Sequence, residues 1–237
     1  MNWDFIASFL QIVVIDLTLS GDNAIVIGMA AASLPQNQRT RAIVIGGACA
    51  IGLRIALTII ATWLMTIPLL SAAAGAVLFW VAWKLLRMDV ETEEASKEKT
   101  HKSASSFKQA IIIILTADFM MSLDNVLSVA GAAHNNILLL ILGLLISMPL
   151  LMTTGGLISR LIDKFKWIPL LGAAVISYVG MEMILKDKLI VKYIEIPEVW
   201  TILISIGFGL LFPTLLFFYE RHKKGKNSCE KASSEKE

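Results

Sequence analysis

The chain has 237 residues, of which 56% are hydrophobic and 17% charged, with a net charge of +2 and a mean hydropathy of +0.71. Soluble domains carry about a quarter charged residues, and here the charges gather in short stretches between long apolar runs, so the chain is read as solvated mainly by lipid. Its two cysteines, Cys49 in an apolar run and Cys229 in a polar tail, exclude a disulfide framework or a cysteine zinc site.

A helix needs about 20 mostly apolar residues to cross the hydrocarbon core. The first such segment, 5–32, follows a start without a basic region and is too long for a signal peptide core, so it is read as a retained span. It contains Asp16, Ser20, Asp22 and Asn23. Next come 42–66, which holds Arg54, and 68–87. Residues 88–107 are densely charged and read as a mobile linker. The fourth span, 108–133, contains Asp118, Ser122, Asp124 and Asn125, and 137–159, 167–186 and 198–219 complete the set. Glu182 lies near the outer end of the sixth span, within reach of water. Residues 221–237 read as a disordered Lys/Glu/Ser tail.

Lys and Arg concentrate on the cytoplasmic side of membrane proteins. With the N-terminus outside, seventeen fall inside and only Lys186, Lys188 and Lys192 outside, so the expected topology is N-outside, C-inside. The segment Asp16 to Asn23 matches Asp118 to Asn125 at an offset of 102 residues, giving two Asp-x5-Asp-Asn motifs. Three spans separate their starts, so the copies cross in opposite directions, as in the inverted repeats of secondary transporters. The expected fold is an all-α polytopic membrane protein with seven transmembrane helices, a 3+3 inverted repeat plus one extra helix. Its parts are a first three-helix repeat (1–87), a charged cytoplasmic linker (88–107), a second three-helix repeat (108–190), the seventh transmembrane helix (191–220) and the cytoplasmic tail (221–237).

Four ionised, unpaired aspartates at membrane depth would cost roughly 10–14 kcal/mol. Protonation, a cation, a water-filled cavity or Arg54 must offset that. On a straight helix Ser20 and Asn23 lie within about 40° of Asp16, and Ser122 and Asn125 within about 40° of Asp118. Each copy therefore forms an oxygen-bearing stripe, from which Asp22 and Asp124 stand about 120° away unless the helix breaks. Gly21 can supply a break in the first copy, whereas the second has Leu123 there. Carboxylate, amide and hydroxyl oxygens, with no Cys or His beside them, suit hard divalent cations such as Mn2+, Mg2+ or Ca2+. Arg54 either neutralises an aspartate until a cation displaces it or forms a fixed structural ion pair. Gly46, Gly47, Gly143, Gly155, Gly156 and Gly172 fit close helix packing.

The stretches DLTLSGDNAIVIGMAA, NQRTRAIVIGG and ADFMMSLDNVLSVAGAA resemble the TerC family of integral membrane proteins, in its YjbE-type branch, over roughly residues 5–220. The resemblance implies a seven-helix bacterial inner-membrane protein related to LysE-like transporters. It implies association with tellurium resistance, with efflux of Mn2+ or sometimes Ca2+, and in some members with metal supply to exported enzymes. Asp16, Asp22, Asn23, Asp118, Asp124 and Asn125 match the family's acidic motifs, with Ser20, Ser122 and Arg54 in support.

The expected function is divalent-cation transport across the bacterial cytoplasmic membrane, with Mn2+ efflux favoured and Ca2+ or Mg2+ as further cargo. The alternative is a membrane scaffold that supplies metal to, or assists, protein export. The expected partners are the bilayer, the cation, and export machinery or metalloenzyme clients, with no nucleic acid. No prosthetic group is expected. No nucleophile-base pair or cofactor motif lies at membrane depth, so enzymatic activity is not expected.

Overall fold

The computed structural model describes residues 3–60, 64, 67, 69–97, 106–132, 137–194 and 196–234. Along 3–5, 7–8, 90–97, 124, 126–132, 137, 140 and 220–234 it describes the backbone alone. The regular elements are all α-helices: α1 (Trp3–Leu19), α2 (Gly21–Ala32), α3 (Gln36–Ile59), α4 (Leu70–Lys97), α5 (Phe107–Ala132), α6 (Ile137–Lys164), α7 (Ile168–Leu185), α8 (Lys188–Tyr193) and α9 (Glu198–Ser234). Among the described residues, five helices are long and apolar enough to cross a membrane: Gln36–Ile59, Leu70–Asp89, Ile141–Lys164, Ile168–Leu185 and Glu198–Tyr219. The pair Phe9–Leu19 and Gly21–Ala32, bent by 53° at its break, makes a sixth candidate. The chain is thus an all-helical, multi-pass membrane protein. The span expected at 108–133 coincides with α5, where the side chains of Asp124 and of 126–132 lie outside the described residues.

Helix ends depart from the apolar boundaries for a simple reason. Hydropathy marks where a helix meets lipid, whereas backbone hydrogen bonding continues through polar residues of good helix propensity. So α3 starts at Gln36, directly after Pro35, with a polar first turn. Likewise α4 runs to Lys97 into the segment expected as a mobile linker, and α9 runs to Ser234 through the stretch expected as a disordered tail. No proline interrupts 88–97 or 214–234. Pro149 and Pro213 lie inside continuous helices.

Lipid offers no apolar driving force between helices, so close contact depends on small residues. The tightest crossing joins α4 to α7. A Cβ on Gly75 would lie 2.2 Å from Gly180 O, and one on Gly180 would lie 2.8 Å from Gly75 O. Gly46, Gly47, Gly143, Gly155 and Gly172 also sit under neighbouring side chains, of Ile114, Met152, Ile12, Ile27 and Met29 respectively. Gly156 departs from the expectation: its added Cβ would meet only Ile43 Cδ1, at 3.8 Å. The helices of the two halves pack crosswise, α1 and α2 on α6, α3 on α5, and α4 on α7. Helix α9 lies outside this core, against α7 and α4, where Phe208 and Phe212 stack on each other and meet Phe79. Its opposite face, with Leu203, Leu210, Leu211 and Leu215, is exposed as a lipid-facing helix requires.

Two polar ties close the ends of the bundle. Buried Asp187 accepts from Leu189 N–H (2.9 Å), capping α8, and from Ala72 N–H (3.2 Å) in the first turn of α4. Arg39 forms a forked pair with Asp163 and donates to the carbonyls of Ala32 and Leu34 at the end of α2. Replacing Gly75 by Val should lower the stability of the detergent-solubilised protein by about 1–3 kcal/mol, the usual cost of overpacking, read as a lower thermal unfolding midpoint. Gly52→Ala, where an added Cβ meets nothing within 4 Å, should leave the midpoint unchanged or raise it.

Candidate functional site

The first motif breaks its helix. Backbone dihedrals at Ser20 (φ −111°, ψ 10°) leave the helical region, ending α1 at Leu19 and restarting the chain as α2 at Gly21. Glycine disfavours helix continuation, and nothing crowds Gly21, so flexibility and not space is what it supplies. The second motif keeps its helix: buried Leu123 lies within continuous α5. The unequal break that Gly21 and Leu123 imply is therefore present.

The break corrects the expected stripe. Asp16, Ser20 and Asn23 do not line one face of one straight helix. Asn23 turns away from Asp16, and its Nδ2 donates to Asp118 Oδ1 on the second motif (2.8 Å). Asp16 keeps Ser20, whose Oγ donates to its Oδ1 at 3.3 Å. Asn125 Nδ2 donates in turn to the Leu19 carbonyl at the break (2.9 Å), so it holds backbone of the first copy rather than joining Asp118.

Arg54 gathers these groups. From α3 its Nη1 donates to Asp16 Oδ1 and to Ser20 Oγ (2.7 Å), its Nη2 to Asp118 Oδ1 (2.7 Å), and its Nε to Ser122 Oγ (3.2 Å). Arg54 is 1% exposed, Asp16 0% and Asp118 4%, so the pairs lie out of reach of bulk water. The planar five-donor guanidinium suits this bridging role better than an ammonium would. Of the two readings of Arg54, this geometry shows an ion pair to both motifs at once.

One further partner was not legible in the sequence. Ser147 on α6 is fully buried and donates to Asp16 Oδ2 (2.5 Å). A lone serine in an apolar span carries little signal. The available one was its spacing, four residues after Gly143, against which Ile12 packs four residues before Asp16. Asp118 and Asp16 are thus each bonded by the second spanning helix of the other half, Asp118 by Arg54 and Asp16 by Ser147.

The node is incompletely satisfied. Both oxygens of Asp16 are hydrogen-bonded, whereas Asp118 Oδ2 and Asn23 Oδ1 are buried without a hydrogen-bond partner among the described residues. Two carboxylates face one guanidinium, an excess of one negative charge if both are ionised. Buried acceptors without donors are costly, and an anionic oxygen pair can take a proton or a cation. Asp22 stands apart, half-buried in the first turn of α2, where its Oδ1 accepts from Asn23 N–H (3.0 Å). The side chain of Asp124 lies outside the described residues. Glu182 pairs with Lys186 (2.6 Å) at a partly exposed position, in keeping with a carboxylate that reaches water.

The integral membrane protein TerC family matches residues 1–227. An uncharacterized membrane protein, YjbE of Bacillus subtilis, is 40% identical over 188 residues, which cover 79% of this chain and 84% of that protein. The UPF0053 inner membrane protein YgdQ of Escherichia coli is 26% identical over 188 residues, 73% of this chain and 78% of its own. A UPF0053 protein of Buchnera aphidicola is 24% identical over 239 residues, which is 95% of this chain but only 45% of that longer protein. No solved structure matches. This chain belongs to the TerC family.

Arg54→Ala removes the only cation bonded to Asp16 and Asp118 among the described residues. It should cost about 3–5 kcal/mol of stability, as breaking a buried ion pair does, measured by thermal or denaturant unfolding in detergent. Adding Asp118→Asn to Arg54→Ala should recover part of the loss, because the remaining buried charge falls. Arg54→Lys should restore less than an ion-pair count predicts, since an ammonium cannot span both carboxylates and both hydroxyls.

Proposed function

We propose that this TerC-family protein transports a divalent cation across the bacterial cytoplasmic membrane, with Mn2+ as the favoured cargo ahead of Ca2+ or Mg2+ and efflux as the direction. The observation that carries the reading is the node itself: two buried carboxylates from separate motifs share one guanidinium, leaving Asp118 Oδ2 and Asn23 Oδ1 without donors. Carboxylate and amide oxygens are the ligands hard cations take. Among the described residues no three acidic, His or Cys side chains are grouped to hold a metal. That fits a state in which Arg54 serves as internal counter-ion in the cargo's place. Loading then requires Arg54 to withdraw, freeing Asp16 and Asp118 to bind cargo with Asn23, and with Asp22, Asp124 and Asn125 as further ligands. Exchanging Arg54 (+1) for a divalent cation between the two ionised carboxylates takes the node from one excess negative charge to neutrality, which the low dielectric favours.

An inverted 3+3 arrangement with a seventh helix supplies the alternating access. Leu19 meets Asn125 while Asn23 meets Asp118, so the motif segments run in opposite directions. The crosswise packing of α1 and α2 on α6, and of α3 on α5, is the pattern a two-fold relation between halves would produce. The Arg39–Asp163 and Asp187–Ala72 ties join ends that the alternation of spans assigns to the same side, and the outside N-terminus rests on the Lys and Arg count.

In inside-out vesicles, Asp16→Asn and Asp118→Asn should each reduce Mn2+ uptake on the order of tenfold or more, as expected for removing an anionic ligand. Wild-type rates in both variants would sink the assignment. Purified wild-type protein alone in liposomes should transport Mn2+; failure there, with metal-dependent capture of export proteins, would favour the scaffold reading. Mn2+ should also raise the thermal unfolding midpoint of wild type, as binding only the folded state does, and not that of Asp118→Asn.

A further inference from the structure

A second polar feature lies away from the aspartate node, where the start of α3 meets the end of α6. A cavity of about 360 Å3 there is lined by Gln36, Thr40, Ser159 and Arg160, beside the Arg39–Asp163 pair. It shares Thr40, Ile43, Gly156 and Arg160 with an adjoining cavity of about 420 Å3, whose other walls include Val44, Met152 and Leu157. Val44 and Leu157 are more than half exposed on the outer surface of the bundle, so the second cavity opens toward the lipid.

The two cavities differ in chemistry. In the first, Ser159 is 2% exposed and its hydroxyl has no hydrogen-bond partner among the described residues. A buried helical serine normally returns its proton to a carbonyl one turn back, so this hydroxyl is a donor held for something else. Arg39 is spent, bonded to Asp163 and to the carbonyls of Ala32 and Leu34. Arg160 is not: among the described residues it has neither an ion pair nor a hydrogen bond. Arg41, Lys164 and Lys166 lie at the same helix ends and add positive potential. The second cavity is chiefly apolar. A cationic, donor-rich head continuing into a groove open to lipid has the chemistry of a phospholipid seat.

We propose that the α3–α6 groove binds one anionic phospholipid of the surrounding leaflet. Its phosphate is held by Arg160 and Ser159, with Thr40 and Gln36 at the rim, and one acyl chain lies along Ile43, Val44, Met152 and Leu157. A metal cation is disfavoured by two guanidinium groups at the head. A free anion makes no use of the apolar extension. The bound lipid bridges α3, which carries Arg54, to α6, which carries Ser147.

The test uses the full-length protein, purified and delipidated in a neutral detergent, with lipid retention followed by native mass spectrometry. Phosphatidylglycerol should be retained at least about tenfold more tightly than phosphatidylcholine, and Arg160→Gln should remove most of that preference, the worth of one charge-assisted hydrogen bond. Gly156→Leu should exclude the lipid by filling the groove while leaving the fold intact, because a Cβ there meets only Ile43 at 3.8 Å. Lys166→Gln, a charge change outside the groove, should leave retention unaltered. Equal retention of the two lipids by wild type, or wild-type retention in both Arg160→Gln and Gly156→Leu, would overturn the proposal. So would displacement of bound phosphatidylglycerol by millimolar inorganic phosphate, which would mark a free-anion site instead.

Discussion

The arrangement of this molecule follows from one electrostatic constraint: a guanidinium and two carboxylates are held together where neither water nor lipid headgroups reach. Each of these ions alone would cost several kcal/mol to bury. Together they are tolerable only if their geometry is maintained, and five helices contribute to it. Asp16 ends the first segment of a broken helix, Asn23 opens the second, Arg54 comes from α3 and Asp118 from α5, with Ser147 of α6 completing the shell of Asp16. Neither half by itself satisfies its aspartate in full: Asp16 Oδ2 depends on Ser147 and Asp118 Oδ1 on Arg54 and Asn23. The ionic node therefore acts as an assembly condition as well as a candidate binding site.

The packing around it answers to the same condition. In lipid, helices gain nothing by hiding apolar surface from one another, so approach is set by shape and by polar bonds. Ile12 on Gly143, and Ile27 on Gly155, bring α1 and α2 against α6 closely enough for Ser147 to reach Asp16. Ile114 on Gly46 does the same for α3 and α5, placing Arg54 against Asp118 and Ser122. Gly143, Gly155 and Gly46 are thus spacers for charge. Where no charge is being positioned, as at Gly156, the space is left open and a groove results.

Much of this was legible in the sequence because membranes impose simple rules. Apolar runs and the twinned aspartate motif carry the helical class, the multi-pass membrane character and the identity of the buried charges, whereas five spanning helices and one bent pair stand among the described residues against seven expected spans. Asp16, Asn23, Asp118 and Arg54 come together, though not along the straight-helix stripe that their spacing suggests. What escaped were features that depend on local backbone geometry and on partners far apart in the chain. A straight-helix projection places Asn23 beside Asp16, and a single break at Ser20 sends it to Asp118 instead. Ser147 and Asp187 were invisible because neither has a motif: one matters only when α6 lies against α1, the other only when the end of α7 meets the start of α4. Helix length beyond the lipid was missed at α4 and α9 because hydropathy is blind to helices in water.

The bond from Asn125 to the Leu19 carbonyl has a mechanical implication. A helix interrupted at membrane depth leaves peptide oxygens that need donors, and the donor for Leu19 comes from the opposite half of the chain. At the same time Asn23, just past the interruption, donates to Asp118 of that half. Each half therefore completes the hydrogen bonding of the other, and neither can shift far without orphaning a group across the interface. Independent motion of either half would therefore break hydrogen bonds across the interface. The broken helix thus makes the two asparagines staples between the halves: Asn125 holds its freed carbonyl and Asn23 reaches across to Asp118.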